Sequence, residues 1–339
     1  MSLPKTYKAA VIEEANAPFK IKDIEYKSPE SGKVVVKVVA SGVCHSDSMT
    51  VEQAFPTGLP RIPGHEIVGR VVEVPQDEKR WKVGDLVGSG WHGGHCGVCS
   101  RCIRGDFVTC ESEGINGVSS DGGHAEYATL RTEALCAIPD DIEPAKAAPL
   151  LCAGITVFNS IRSMSLHPGD VVAVQGVGGL GHLAIQFARK MGYVVAAVSR
   201  GDSKKQLALD LGAHHYIDSE DGNAAEALQK LGGAKVIAAV APSGPAMASL
   251  IPGLAVNGQL IILAPVEKLE IPTVPMIMKR LSVRGWPSGT AADCEDTLKF
   301  AQAMGVDCKI ETYPLEKIQD AYDSMMNNKA RFRSVIVFE

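Results

Sequence analysis

A chain of 339 residues, 45% hydrophobic and 22% charged, is long enough for two domains with separate cores. Its net charge of −5 excludes a general attraction to nucleic acid or to an anionic membrane surface. The opening MSLPKTYKAAVIEEAN lacks the apolar centre of a secretory leader and no apolar run is long enough to span a bilayer, so the expected setting is cytoplasmic and reducing.

Residues 7–43 alternate apolar and polar, most clearly in Lys33-Val34-Val35-Val36-Lys37-Val38-Val39, which predicts β-rich structure. Further short strands are expected at Ile67–Val74 and Leu86–Gly88. From Ala145 onward strand and helix patterns alternate. Helices are expected over Gly179–Met191, Ser203–Leu211, Ala224–Leu231 and Ser243–Leu254, with Pro245 in the first turn of the last. Strands near Val171, Val194, Lys235–Val240 and Gln259–Leu263 complete a parallel doubly wound sheet. The tail reads as helices over Ala292–Met304 and Leu315–Asn327 and a strand over Ser334–Phe338.

Between Val171–Val174 and Val194–Val198 runs Gly176-Val177-Gly178-Gly179-Leu180-Gly181, a G-x-G-x-x-G turn opening a helix that Gly192 stops. Gly176 permits the tight turn, Gly178 lets backbone approach a pyrophosphate, and Gly181 lets helix and strand sit close. Unpaired N–H groups and the positive end of the helix dipole stabilise the diphosphate there. Strand, turn, helix and strand in this order make a Rossmann unit for a dinucleotide.

Nine cysteines are many for a reducing compartment, where metal binding is the leading use of clustered thiols. Cys96, Cys99, Cys102 and Cys110, spaced C-x2-C-x2-C-x7-C, can wrap one loop around a tetrahedral zinc ion. Four thiolates leave no open position, so such a zinc is structural. Disulfides and an iron–sulfur centre are the lower-ranked readings, and the acidic chain disfavours a nucleic-acid-binding zinc ribbon. Cys136, Cys294 and Cys308 match no motif and read as buried packing. His92, His95, His124, His167, His182, His214 and His215 read as surface or hydrogen-bonded residues without chemistry.

A second group is dispersed: Cys44 in GVCHSD, His65 in GHEIVG and Cys152 in LLCAGIT. One imidazole and two thiolates with a vacant fourth position suit a catalytic zinc, although a lone cysteine is more often a small core residue. GVCHSD at 42–47, GHEIVG at 64–69, the four-cysteine loop at 96–110, LLCAGIT at 150–156 and GVGGLG at 176–181 together resemble the zinc-dependent alcohol dehydrogenases of the medium-chain dehydrogenase/reductase superfamily. The resemblance spans essentially the whole chain. It implies a Rossmann domain, residues 154–287, inserted in a β-rich GroES-like catalytic domain of residues 1–153 plus 288–339.

The resemblance further implies that Cys44, His65 and Cys152 hold the catalytic zinc, with Glu66 behind the metal and Asp47 orienting His65. Ser46 matches the hydroxyl that starts proton release from the alcohol. His45 and Arg333 match contacts to the cofactor pyrophosphate, Thr156 packs by the nicotinamide, and Trp91 lines the substrate pocket. A cysteine at 152 points to the alcohol branch rather than the polyol branch. The chain departs from the family at Met49, where many relatives carry a proton-relaying histidine, and at Val74-Pro75-Gln76-Asp77, where a valine-glycine turn is usual.

Cofactor choice turns on the end of the second Rossmann strand. An acidic residue there binds the ribose 2′-OH of NAD; counted back from Leu211-Gly212-Ala213, that position is Ser199. Serine can hydrogen-bond a 2′-phosphate, and Arg200 and Lys204 add positive charge, so NADP(H) is favoured. Asp202 is the counter-argument, expected to face solvent or cap the next helix. The reading is therefore an NADP(H)-dependent alcohol dehydrogenase or aldehyde reductase with two zinc ions per chain, a small-molecule substrate and a homo-oligomeric state, dimer or tetramer. The alternatives are an NAD-dependent enzyme of the same family, a zinc-free quinone or enone reductase on the same fold, and a non-catalytic nucleotide-binding protein.

Overall fold

Lys33–Val43 is a strand of 11 residues around which one sheet is built. A computed structural model of the protein describes residues 3–56 and 58–339; Met1 and Ser2, where the leader reading began, lie outside them. The chain divides into two units, one of Met1–Ile155, Ser288–Ala303 and Asp307–Glu339, the other of Thr156–Pro287 with Met304–Val306.

In the first unit Lys33–Val43 pairs antiparallel with Ile67–Glu73 on one side. On its other side lie Tyr127–Arg131 and, further along, Arg333–Val337, so the last strand of the chain completes a sheet begun near residue 33. The helix Pro144–Pro149 packs against the same strand. With both edges paired and a helix on one face, the valines do not alternate between core and solvent: Val34, Val35 and Val36 are all buried. Val34, Val36, Val38, Ile67, Val71 and Leu130 form a core under this sheet.

The second unit is a six-stranded parallel sheet in the order His215–Asp218, Val194–Ser199, Val171–Gln175, Ala234–Ala239, Leu254–Ile262, Ser282–Gly285. In sequence order this is 3-2-1-4-5-6, the doubly wound dinucleotide-binding arrangement expected from the pattern. Its strands are apolar on both faces: Val172, Ala173, Val174, Ile237 and Ala238 are all fully buried.

Several boundaries differ from those expected. The helix placed over Ser203–Leu211 starts at Lys205, because residues 201–204 form a turn. The helix placed over Ser243–Leu254 is Gly244–Leu250, capped by the Ser243 hydroxyl, and Pro252-Gly253 end the following turn. The strand placed over Gln259–Leu263 begins at Leu254: Asn257, with φ 59°, and Gly258 form a bulge within one strand rather than a turn before it. A helix over Thr273–Lys279 lies where the sequence analysis places no element, and its Pro275 and β-branched residues give it little intrinsic helix preference.

Candidate active site

Cys44 follows the end of Lys33–Val43 and opens the single turn His45–Asp47. His65 and Glu66 lead into Ile67–Glu73 from the neighbouring strand position. Cys152 lies in Leu150–Gly154, a widened π-helical turn between Pro144–Pro149 and Ile155–Arg162. Such turns re-aim one side chain out of the regular helical register. The ligand atoms of Cys44, His65, Glu66 and Cys152 all lie within 4.8 Å of one another.

This donor set fits a zinc ion. Two thiolates on a tetrahedral zinc at about 2.3 Å stand about 3.8 Å apart, and the Cys44 and Cys152 sulfurs are 3.8 Å apart. Both ring nitrogens of His65 and Glu66 Oε2 are buried without a hydrogen-bond partner, a costly arrangement that a cation on the site side would relieve. A hydrogen bond from Cys152 holds Cys44 well below the ordinary thiol range, helped by His65 and Arg333, while the same contact and burial push Cys152 up.

Asp47 backs the imidazole. Its Oδ1 lies 3.1 Å from His65 Nδ1, and its Oδ2 accepts the Cys44 N–H at 2.9 Å. Burial favours the neutral acid, but His65 and His124 outweigh it and hold Asp47 well below the usual carboxylate range. Burial likewise opposes charge on His65, and Asp47 and Cys44 override it to raise that imidazole well above its ordinary value.

Glu66 is pushed up to about 8 by burial, against the pull of Arg333. Its Oε1 accepts from the Arg333 guanidinium, and a Cβ at Gly42 would fall 1.8 Å from Oε2, so only glycine leaves room for this carboxyl. Arg333, expected to meet a cofactor pyrophosphate, thus points its guanidinium at Glu66 and is 4% exposed. Trp91 is half-buried and meets the His65 ring edge-on, centroids 5.0 Å apart. Ser46 is half-buried and His45 exposed on the same turn; Met49 is half-buried on the next.

The four sulfurs of Cys96, Cys99, Cys102 and Cys110 also lie within 4.8 Å of one another, with Cys96–Cys102 at 4.0 Å and Cys99–Cys110 at 3.9 Å. Backbone N–H groups point at the sulfurs, from Cys99 to Cys96 and from Cys96 and Ser112 to Cys110. Backbone donors bring Cys99 down to about 6, which favours the thiolate a metal needs. All nine cysteines are free thiols. His92 braces the loop, bonded to Glu113 at 2.8 Å and to His95 at 3.1 Å.

In the second unit Gly176 has φ 100°, and a Cβ on Gly181 would fall 1.9 Å from the Gly176 carbonyl oxygen. Nothing lies within 4 Å of a Cβ built at Gly178, so backbone is open to approach there. Val177, Gly179 and Leu180 complete the turn into the helix Gly181–Lys190, at the switch point between Val171–Gln175 and Ala234–Ala239. Thr156 stands on the helix Ile155–Arg162, at the start of this unit.

Ser199 ends its strand half-buried, Arg200 is exposed and Lys204 half-buried. Asp202 is exposed, and the helix after it has no side-chain cap, so it takes the solvent-facing alternative. Asp218 belongs to no motif in the sequence. It sits opposite Ser199 in register and accepts the Gly201 N–H at 2.8 Å, holding the turn that carries Arg200. Its signal was only its place at the end of an unannounced strand. His124, which stands in no motif either, is fully buried against Asp47. Its side-chain hydrogen-bond partners, Ser41 and Asp47, lie about eighty positions away, beyond any local pattern.

Residues 30–140 match the alcohol dehydrogenase GroES-like domain, and residues 179–303 match the zinc-binding dehydrogenase domain. The alcohol dehydrogenase patD of Penicillium expansum is 47% identical over 333 residues, covering 98% of each chain. An alcohol dehydrogenase of Geobacillus stearothermophilus is 36% identical over 97% of this chain and 99% of its own. Among solved structures, a cinnamyl alcohol dehydrogenase of Sorghum bicolor superposes with a TM-score of 0.89 at 28% identity, covering 98% of both chains. With sequence motifs, sheet order and relatives in agreement across the full length, the chain belongs to the zinc-dependent alcohol dehydrogenases of the medium-chain dehydrogenase/reductase superfamily.

Proposed function

We propose that the protein is a zinc-dependent alcohol dehydrogenase and aldehyde reductase that exchanges a hydride between NADP(H) and a primary alcohol or aldehyde. The observation that carries the zinc half is the convergence of the Cys44 and Cys152 sulfurs, 3.8 Å apart, with a buried, unpartnered His65 Nε2. When bound, zinc at these three residues supplies Lewis-acid polarisation of the substrate oxygen and the nicotinamide supplies or takes the hydride. Asp47 holds the imidazole in orientation, Ser46 passes the hydroxyl proton on a half-buried turn, and Trp91 walls the pocket beside His65. Glu66 and Arg333 place a switchable carboxyl behind the ligands, and His45 remains the proposed pyrophosphate contact from its exposed position. Intact ligands weigh against a zinc-free quinone or enone reductase and against a non-catalytic protein.

A second zinc in the four-cysteine loop is structural, giving two per chain. Metal analysis of purified protein tests both: about two zinc ions are expected, and Cys44→Ser should abolish turnover while the fold persists. One zinc or none in fully active protein would overturn the assignment.

NADP(H) over NAD(H) is supported by a serine rather than a carboxylate at 199, with Arg200 and Lys204 following. Comparing kcat/KM for both cofactors decides it, and a preference for NADH would select the NAD-dependent alternative. The family's alcohol substrates are narrowed by a panel of aliphatic, benzylic and cinnamyl aldehydes.

A homo-oligomer is proposed from two features. The connection from Cys110 to Gly123 is short, as in tetrameric microbial members of the family. The helix Thr273–Lys279 exposes Val274, Ile277 and Met278 at 70–77%, beside the edge strand Ser282–Gly285. A stable monomer by light scattering at working concentration would refute it. Among the described residues no helix is long and apolar enough to cross a membrane. The reduced thiols that both zinc sites require fit the proposed cytoplasmic setting.

A further inference from the structure

His124 and Ser41 are wholly buried polar side chains that the reaction just described does not use. The His124 Nδ1 lies 2.9 Å from Ser41 Oγ, and its Nε2 lies 3.4 Å from Asp47 Oδ2. The other Asp47 oxygen, Oδ1, is the one 3.1 Å from His65 Nδ1. Ser41, His124, Asp47 and His65 therefore form one buried row, each at most 1% exposed.

Chemistry fixes the direction of this row. Asp47 is an acceptor only, so the His124 nitrogen facing it must carry a proton. In the neutral ring its Nδ1 then presents a lone pair, which the Ser41 hydroxyl, 2.9 Å away, satisfies as donor. The opposite tautomer would set a lone pair against a buried carboxylate. With Asp47 so held, its other oxygen stands 3.1 Å from His65 Nδ1, where it can take that proton when a metal ion draws on the Nε2 lone pair.

The backbone clamps the same parts together. The His124 N–H donates to Pro63 O at 3.0 Å and Gly123 N–H to Gly64 O at 2.9 Å, tying the histidine loop to the segment that delivers His65. A Cβ on Gly64 would fall 2.7 Å from His124 Nδ1, so the ring fills the space that glycine vacates. A phenylalanine would fill it too, without the desolvation cost of a buried imidazole.

We propose that His124 and Ser41 are positioning residues of the zinc site: Ser41 sets the His124 tautomer, and His124 locks Asp47 so that it holds His65 with Nε2 toward the two thiols. The proposal rests on the zinc reading above.

The test measures zinc release from the full-length zinc protein to a chromogenic chelator, with Cys44→Ser protein identifying the phase that belongs to the four-cysteine loop. For His124→Phe we expect release from the Cys44 site about 10–100-fold faster, the range for losing a group that orients a ligand, with the other phase unchanged. Ser41→Ala should move the same phase in the same direction but less. The double variant should be no faster than His124→Phe, because Ser41 acts through His124. His124→Gln, which can still offer an N–H to Asp47, should restore part of the retention.

Unchanged release in His124→Phe would overturn the proposal. So would equal weakening of both zinc phases, which marks general loss of packing, or additive effects of the two substitutions. If His124→Phe does not fold, Ser41→Ala alone decides, by faster release from the Cys44 site or none. Wild-type protein that takes up zinc only at the four-cysteine loop would overturn the zinc reading itself, and this proposal with it.

Discussion

Glu66 and Arg333, 267 positions apart in the chain, form a buried ion pair next to the Cys44 and Cys152 thiols. Burial opposes charge on the guanidinium, yet Glu66 and the sulfurs raise its pKa above the usual range, so it stays a fixed cation beside a cluster of anionic groups. Removing the cation should cost more than neutralising the carboxyl. Arg333→Leu removes the fixed buried cation that faces the Glu66 carboxyl and should lower the melting temperature of the first unit. Glu66→Gln keeps an acceptor for the guanidinium and should cost clearly less. Thermal melting of both zinc-loaded variants makes the comparison, and equal losses would mean the pair has no such asymmetry.

The four-cysteine loop has its own signature of failure. Cys99 receives backbone hydrogen bonds that favour its thiolate, so Cys99→Ser removes both a ligand and the anion those donors stabilise. One zinc per chain should be lost, with reduced melting temperature or solubility, because ligation at such sites is folding free energy. Zinc content near two in the Cys99→Ser protein, with unchanged melting, would contradict a structural role.

Met49 is half-buried on the turn after Asp47 and carries no proton. Proton release should then run from Ser46 and the cofactor ribose directly to water. Met49→His should alter the pH dependence of alcohol oxidation more than it alters aldehyde affinity. A pH–rate profile identical to that of the unmodified protein would count against this route.

At the adenosine end, Ser199→Asp should shift preference toward NADH by repelling a 2′-phosphate. Arg200→Ala should weaken NADPH binding by about 1–3 kcal/mol, the range for a charged hydrogen bond. Asp218 adds a control: it holds the Gly201 N–H, so Asp218→Ala should loosen this turn and blunt discrimination between the two cofactors. Titration calorimetry with NADPH and NADH measures all three.

What the sequence displayed was short-range. Cys96 to Cys110 sit within fifteen positions, and the glycine turn is six residues between two apolar runs, so their spacing alone carries the chemistry. Cys44, His65 and Cys152 became readable only through the family resemblance, because strand pairing and a π-helical turn bring them together. His124 and Ser41 stayed hidden for a plainer reason: they are 83 positions apart, and neither stands in a pattern that demands a polar core. Asn257-Gly258, a dipeptide that ordinarily closes a hairpin, here bulges one continuous strand, because Leu254 before it and Gln259–Ile262 after it pair in parallel with the same neighbour.

The late arrival of Arg333–Val337 beside Lys33–Val43 has a consequence for biosynthesis. At about 5–20 residues per second on a ribosome, Glu66 exists for about 15–50 s before Arg333 is made. During that wait the Val39–Val43 end of the central strand has an open edge, since its partners are Ser334 to Phe338. The segment 156–287 can meanwhile complete its own parallel sheet from contiguous chain. A nascent chain of this protein therefore carries a finished nucleotide unit joined to a valine-rich strand still open to pairing with other chains, and chains released before residue 333 should accumulate as aggregates rather than as soluble, inactive enzyme.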